Sequence, residues 1–484
     1  MLLYIMLSCI VSSVQFLGRT LELQRLSRAH RRAQGALVVV SGRRRVGKTR
    51  LLLEWVRSDG GVYTVADESS AVQQRVATAE SFAQVFPGFA DVTYPNWQSL
   101  LSRVSQAAKA ISFRGPIIFD ELPYLVTQSP ELPSVLQKWF DHEAKAARLS
   151  VAIAGSSQRM MQGLFLNANA PLYGRATEHL RLAPLSPATV TELGVKDVVE
   201  ATKFFTAWGG VPRYWELAES LGRDTTANVL DLVLDPQGAL HMEPTRLLLE
   251  ELPPAPELKS LLDAIGNGAH RASEIAARIG KPATSISRPL DRLLELELIV
   301  RETPFGENAN NSKRSLYRIR DPFLRLWFKV VSAHRAALVG GNRRTRQALL
   351  KNRWPGLLAT CWEEVTRHAL AHLPEKHGLS ATVWEPAQRW WHGNAPEWDA
   401  AAQDIAGNHL LVAEAKWSES SFSACELTSL ARDIIRKPLP PVAAKFKQIE
   451  RALCVPSIKG SAPEKVEGVW IVSGRDVFAR KVPI

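Results

Sequence analysis

The chain has 484 residues, with 60 Lys and Arg against 48 Asp and Glu, a formal charge of +12. At 46% hydrophobic, 22% charged and 8% aromatic it has an ordinary globular composition, which excludes a fibrous or mainly disordered protein, and its length suits about three domains at ~150 residues each. Four scattered cysteines (Cys9, Cys361, Cys425 and Cys454) form no CxxC pair, which argues against a disulfide scaffold and a cysteine-rich zinc site and fits a reducing cytoplasm.

Met1 to Phe16 is apolar, but no positive charge precedes it, since the first arginine is Arg19. The segment is also shorter than the ~20 residues of a membrane span. A membrane partner is therefore not expected; Val14 to Leu17 reads as a first short strand and Met1 to Ser13 as an extension. From Ala36 to about Ile153, apolar β-type runs alternate with helical patterns. The runs are Ala36 to Val40, Gly61 to Val65, Pro116 to Phe119 and Ser150 to Ala154. Strands that are apolar throughout imply a parallel sheet covered on both faces, the core of an α/β nucleotide-type domain.

Gly42-Arg43-Arg44-Arg45-Val46-Gly47-Lys48-Thr49 fits GxxxxGK[ST] in full, between an apolar strand and the helical run Leu51 to Trp55. Glycines let backbone amides turn inward around phosphates, and the helix N-terminus adds its dipole. ATP is the expected ligand. Lys48 would reach its β- and γ-phosphates, and the Thr49 hydroxyl would ligate Mg²⁺. The run Pro116 to Phe119 ends in Asp120 and Glu121, at the carboxyl end of a buried strand where such sheets bind ligands. Asp120 is expected in the Mg²⁺ shell, and Glu121 is expected to polarise the attacking water. Gly155-Ser156-Ser157 would place a polar group near the γ-phosphate, or is merely a turn. Arg175 is a candidate for transition-state charge, from its own subunit or a neighbour in a homo-oligomer, with a solvated surface arginine as the alternative.

Phe16-Leu17-Gly18-Arg19 with Glu22-Leu23, the Gly42 to Thr49 loop, Asp120-Glu121, Gly155-Ser156-Ser157, Pro171 to Arg175 and Gly209-Gly210-Val211-Pro212-Arg213-Tyr214 occur in this order. Together they resemble the archaeal-type AAA+ ATPases related to the STAND class, over nearly the whole chain. The resemblance implies a helical lid that includes the Gly-Gly-x-Pro segment. It also implies base- or lid-side contacts for Arg19 and Pro212.

Prolines and glycines between Pro236 and Pro256 read as a linker. Ser273 to Ile279, a turn at Gly280, and Thr284 to Leu296 then read as a helix-turn-helix. Leu298 to Arg301 and Leu316 to Ile319 would pair as its wing, with Asn308 to Ser315 as the loop. In a DNA reader Ser285, Ser287, Arg288 and Arg292 would face the groove. Pro289 inside that helix and Glu297 in place of a glycine speak against it. Between Arg301 and Lys351, twelve Lys and Arg less three Asp and Glu leave +9, which suits phosphate contacts or a solvated basic face.

After Pro355 a helix is expected, then strands at Ala381 to Trp384, Leu410 to Ala413 and Gly468 to Val472. Glu414 and Lys416 alternate onto one strand face, and Asp399 from a preceding hairpin strand would converge with them. Two carboxylates suit Mg²⁺ or Mn²⁺, with Lys416 activating a water and Glu363 or Glu364 as outer ligand. This resembles the PD-(D/E)XK nuclease pattern. Arg389-Trp390-Trp391 would stack on a base or belong to a core.

The expected fold class is α/β: a P-loop NTPase parallel sheet with a helical lid, then a winged helix and an α/β PD-(D/E)XK-like domain. The expected boundaries are 14–185 for the ATPase core, 186–250 for lid and linker, 257–335 for the winged helix and 350–484 for the nuclease-like domain. The expected function is a Mg²⁺-dependent ATPase coupled to nucleic-acid binding and a nuclease-like domain. Two alternatives stand beside it: a slow nucleotide switch that recruits protein partners, and a metal-dependent nuclease gated by ATP.

Overall fold

Four short apolar runs and one polar edge strand build the first sheet of the computed structural model, which describes residues 16–32, 34–165, 167–251, 256–308 and 314–479. They are β1 (Ala36–Ser41), β2 (Val62–Val65), β3 (Pro116–Asp120), β4 (Ser150–Gly155) and β5 (Glu178–Arg181), all parallel, in the order β2-β3-β4-β1-β5. β1, β3 and β4 are buried at every position, which is why they carry no polar alternation. Leu37 and Val39 of β1 face a core with Phe82, Phe86, Trp97 and Trp139. Val38 and Val40 face the opposite core, with Leu51, Leu52 and Trp55 of the helix Lys48–Asp59. That helix is therefore fixed against the strand that feeds it. The first strand expected at Val14 to Leu17 is absent where it is described. Phe16 and Leu17 form no regular structure, and Met1 to Gln15 lie outside the described residues.

The chain divides into two compact units, 1–183 and 184–484. In the second, helices Val198–Trp208 and Pro212–Ser220 meet at Gly209-Gly210. A Cβ on Gly210 would lie 2.2 Å from the Leu185 carbonyl oxygen, so only glycine fits that approach. Pro212 opens its helix, where a missing N–H breaks no hydrogen bond. The stretch expected as a linker contains a helix, Glu243–Glu251, because Pro244 falls in its first turn; residues 252–255 lie outside the described residues.

Helices Pro256–Gly266, Ala272–Arg278 and Ser287–Glu295 precede an antiparallel hairpin of β6 (Ile299–Glu302) and β7 (Leu316–Ile319), with Ile299 opposite Ile319. Residues 309–313 of its loop are outside the described set. Two objections raised from the sequence dissolve here. Thr284 to Ile286 belong to a 3-10 turn, and the α-helix starts at Ser287. Pro289 thus sits in the first turn and removes no helical bond. Glu297 adopts φ +56° itself, taking the left-handed turn that a glycine would, and its carboxylate pairs with Arg320 at 3.2 Å.

A helix of 28 residues, Arg343–Leu370, runs straight through Pro355 and through the boundary expected at residue 350. The strand expected at Ala381 to Trp384 is instead a 3-10 turn, Gly378–Ala381, and a single bridge from Trp384 to Asp404. Pro386 follows at once and has no N–H for a ladder. A mixed six-stranded sheet follows, from β8 (Gln388–Trp390), β9 (Trp398–Gln403), β10 (His409–Ala415), β11 (Gln448–Val455), β12 (Lys465–Val466) and β13 (Val469–Ser473). Its order is β12-β13-β11-β10-β9-β8, with β10, β11 and β13 parallel. Leu410 and Val412 pack against Leu427, Ala431 and Ile434 of the helix Ala424–Arg436. Trp390 and Trp391 are buried, so the core reading of that pair holds and base stacking does not. Among the described residues no helix is long and apolar enough to cross a membrane.

Candidate functional site

β1 delivers the chain into the glycine loop at the carboxyl edge of the first sheet. Gly42, Arg45 and Gly47 have φ of +150°, +67° and +93°, which turn the loop before Lys48 starts its helix. A Cβ on Gly42 would lie 2.6 Å from the Leu182 carbonyl oxygen. Val46 is buried in the sheet core, and Arg44 Nη2 donates to the Tyr124 hydroxyl at 3.3 Å. Lys48, 5% exposed, donates Nζ to the carbonyls of Gly42 and Arg43, each at 3.0 Å. Its ammonium therefore lies along the loop. Arg19 is buried. Its Nη2 donates to the Val46 and Ala183 carbonyls, both at 2.8 Å, and Nη1 donates to Glu22 at 2.9 Å. The guanidinium thus braces the loop through the Val46 carbonyl; the base- or lid-side contact that the resemblance implied for it remains a proposal.

The acids at the end of β3 take different surroundings. Thr49 Oγ1 donates to Asp120 Oδ2 at 2.7 Å, and the Tyr63 hydroxyl donates to the same oxygen at 2.8 Å. Burial pushes the Asp120 carboxyl above its ordinary range, while the two hydroxyls pull the other way. Burial, reinforced by Asp120, also pushes the Tyr63 phenol up. A hydroxyl and a carboxylate side by side form the hard-oxygen pair that Mg²⁺ takes, so the donor set fits that ion. Glu121 sits at φ +54° in the left-handed region, a conformation that costs about 1–2 kcal/mol outside glycine. Its Oε2 accepts from the Ser156 amide at 3.0 Å, and its Oε1 accepts from the Ser156 hydroxyl. Sequence reasoning noted Ser156 without a partner and missed Tyr63. The register that sets Tyr63 beside Ile118 and Val65 beside Asp120 was the signal for the latter, since positions two apart share a face.

Arg175 is not brought to the loop by its hydrogen bonds. Its Nε donates to Asp141 at 2.9 Å, and Nη1 donates to the Pro171 carbonyl at 2.9 Å. Burial raises Asp141, but Arg175 and Lys145 overrule it and hold that carboxyl below the usual range.

In the second unit, one step beyond the ladder pair Ala413 and Ala400, β10 and β9 set Glu414 opposite Asp399. Asp399 Oδ2 accepts from the Ala415 amide at 2.9 Å. Burial and the charge of Glu414 push the Asp399 carboxyl up. Lys416 donates to Glu414 Oε2 at 2.9 Å and, despite burial, is held above its ordinary value by that carboxylate. Lys437 donates to Glu414 Oε1. Of the two candidate outer ligands, Glu363 lies near Asp399; burial and that charge push it up. Glu364 has both oxygens on Arg325. The sequence reading gave the carboxylates of Asp399 and Glu414 to a metal, with Lys416 beside them. Here the Glu414 oxygens accept from Lys416 and Lys437, and Asp399 Oδ2 accepts from the Ala415 amide. Among the described residues no three His, Cys, Asp or Glu side chains gather as a metal-binding group.

Two family models match parts of the chain, the first running past the boundary at residue 183. Residues 16–214 match the family described as an ATPase domain predominantly from Archaea, and residues 327–428 match one described as Archaea bacterial proteins of unknown function. The first unit has a P-loop ATPase fold. An uncharacterized protein of Methanocaldococcus jannaschii is 26% identical over 423 residues, 87% of this chain and 91% of its own length. A Walker-type ATPase of Pyrococcus abyssi superimposes with a TM-score of 0.50 at 17% identity, over 65% of this chain and 96% of its own. The ORC2 protein of Aeropyrum pernix gives 0.44 at 13%, over 71% and 98%.

The basic stretch from Arg301 to Lys351 changes meaning once folded. Arg314 pairs with Glu307, Arg318 with Glu302, Arg320 with Glu297, Arg325 with Glu364, Arg343 with Asp231 and Arg346 with Asp235. At least six of its twelve cations are thus matched to carboxylates, four of which lie outside the stretch. The charge sum is right, but it overstates the field offered to a polyanion.

Proposed function

We propose that the chain binds ATP with Mg²⁺ at Gly42 to Thr49 and hydrolyses it. The observation that carries this reading is the 2.7 Å bond between Thr49 and Asp120 beside the Lys48 ammonium, at the mouth of the loop. Gly42, Arg43, Arg44, Arg45, Val46 and Gly47 would present amides to the phosphates, and Lys48 would leave the two loop carbonyls for phosphate oxygens. Thr49 and Asp120 would hold Mg²⁺, which neutralises the charge that develops on the phosphates. Glu121 would orient and deprotonate the attacking water. Lys48→Ala should abolish both retention of a fluorescent ATP analogue and phosphate release. Unchanged binding and turnover in that variant would remove the reading.

One observation favours a second reading, a slow nucleotide switch. Both oxygens of Glu121 accept from Ser156, which fixes the direction of the carboxylate and leaves one lone pair on each oxygen for a water. Pre-steady-state phosphate release separates the two: a single burst of one phosphate per chain marks the switch, and continued turnover marks the ATPase. Downstream, the three helices and hairpin support a winged-helix reading of 257–335, and the mixed sheet supports a nuclease-like fold for 350–484. Exposed Ser285, Ser287 and Arg288 remain the candidates for nucleic-acid contact. Arg175, tied to Asp141, would serve a neighbouring subunit only after leaving it.

A further inference from the structure

The second sheet builds the two-acid, one-lysine pattern of a metal-dependent nuclease and then closes it with a second lysine. Glu414 and Asp399 directly follow the last ladder pair of β10 and β9, Ala413 and Ala400, and Asp399 reaches the Ala415 amide beside Glu414. In such an arrangement the oxygens would be offered to a divalent ion. Here Lys416 and Lys437 take one Glu414 oxygen each, and the Ala415 amide takes Asp399 Oδ2. The Glu414 side chain is only 7% exposed. A carboxylate at that depth needs a cation close by, and the two ammonium groups supply it.

Lys437 is held in place by three features. It caps the helix Ala424–Arg436, with φ −65° and ψ 129° that turn the chain back toward the sheet. The adjacent Pro438 carbonyl accepts from Trp398 Nε1 at 2.9 Å. The ammonium lies 4.8 Å from the centroid of the Trp398 ring, a cation–π distance. Trp398 is fully buried and directly precedes Asp399 on β9. One strand therefore supplies an acid of the centre and the anchor for the lysine that faces the other acid. Lys416 and Lys437 offset the charges of Asp399 and Glu414, and Glu363, the third acid near Asp399, lies in the field of Arg389, Arg367 and Arg318.

We infer that Lys437 takes the place of a divalent cation in this centre, so that the second sheet binds neither Mg²⁺ nor Mn²⁺ there and the domain is not a metal-dependent nuclease. The inference is independent of ATP chemistry in the first unit. The test is Mn²⁺ titration of the full nucleotide-free chain, read by electron paramagnetic resonance. Wild type should show no Mn²⁺ site that Asp399→Asn removes. Lys437→Met keeps the apolar stem against Trp398 and deletes the charge; it should gain one site, about tenfold or more tighter than any background, and that site should vanish when Asp399→Asn is added. Lys437→Gln provides a second variant should the methionine chain fail to fold, as judged by near-ultraviolet circular dichroism. Wild-type Mn²⁺ binding that depends on Asp399, or a folded Lys437 variant that gains no site, overturns the inference.

Discussion

Ser156 donates its amide to Glu121 at 3.0 Å and its hydroxyl to the other carboxylate oxygen, so the end of β4 holds the acid at the end of its neighbour β3. If Glu121 serves the attacking water, this grip competes with it for the acceptor sites of the carboxylate. Ser156→Ala removes the hydroxyl bond and leaves the amide bond. Its ATP turnover is expected to rise several-fold, whereas Glu121→Gln should lose about 10²–10⁴-fold and still bind ATP. Steady-state phosphate release on the two variants, with nucleotide retention as control, makes the comparison. A fall in Ser156→Ala turnover would mean that Ser156 assists the chemistry.

Arg19 should matter to the loop through the Val46 carbonyl that it holds. Removing its side chain leaves the Val46 and Ala183 carbonyls without that donor, and an unmade buried hydrogen bond costs about 1–3 kcal/mol. Arg19→Ala is expected to lower the urea midpoint of the first unit and to weaken ATP binding along with it. Weakened binding at an unchanged midpoint would indicate a direct ligand contact instead.

Tyr63→Phe keeps the ring and deletes one donor to Asp120. Its effect on stability should be near 1 kcal/mol, because the aromatic packing survives. The Mg²⁺ concentration needed for half-maximal ATP turnover should shift while nucleotide binding without metal does not. Turnover measured across a Mg²⁺ series decides it.

Glu302 gives the second unit an acid-sensitive joint. It receives Arg318 at 3.2 Å, Arg389 at 3.3 Å and Arg367 at 3.5 Å, which ties the β6–β7 hairpin to the long helix and to β8. Burial alone would raise its carboxyl; the three guanidiniums overrule burial and hold it below its ordinary 4.5. A depressed carboxyl stabilises the fold fully above its ordinary value and loses that contribution as pH falls through the folded value. Glu302→Gln should therefore cost about 3–5 kcal/mol near neutral pH. In denaturant titrations the gap from wild type should narrow as pH drops below 4.5. A gap constant with pH would show that the charge of Glu302 is not what holds the joint.

The phosphate loop, the Asp120-Glu121 strand end and the Asp399, Glu414 and Lys416 set were legible because each is a short-range pattern. A glycine loop between strand and helix, or an acid two residues from a lysine on an apolar strand, fixes its own geometry. Pro289 and Glu297 were misread for the converse reason. A proline is harmful or harmless according to which turn of the helix it occupies, and the start at Ser287 is set by the preceding 3-10 turn. Pro386 cut short a strand whose residues otherwise favoured it.

What remained hidden were partnerships across the chain. Ser156 lies 35 residues from Glu121, Lys437 23 from Glu414, and Arg19 164 from Ala183. No spacing rule reaches so far. Backbone conformation answers to neighbours a few residues away, so the linear order of residues was enough to locate the loop and the acids. Which charge neutralises which depends on distances set by strand register and helix packing, and burial makes those distances decisive. Folding thus turned at least half of an apparent basic patch into internal ion pairs and closed an apparent metal centre with a lysine.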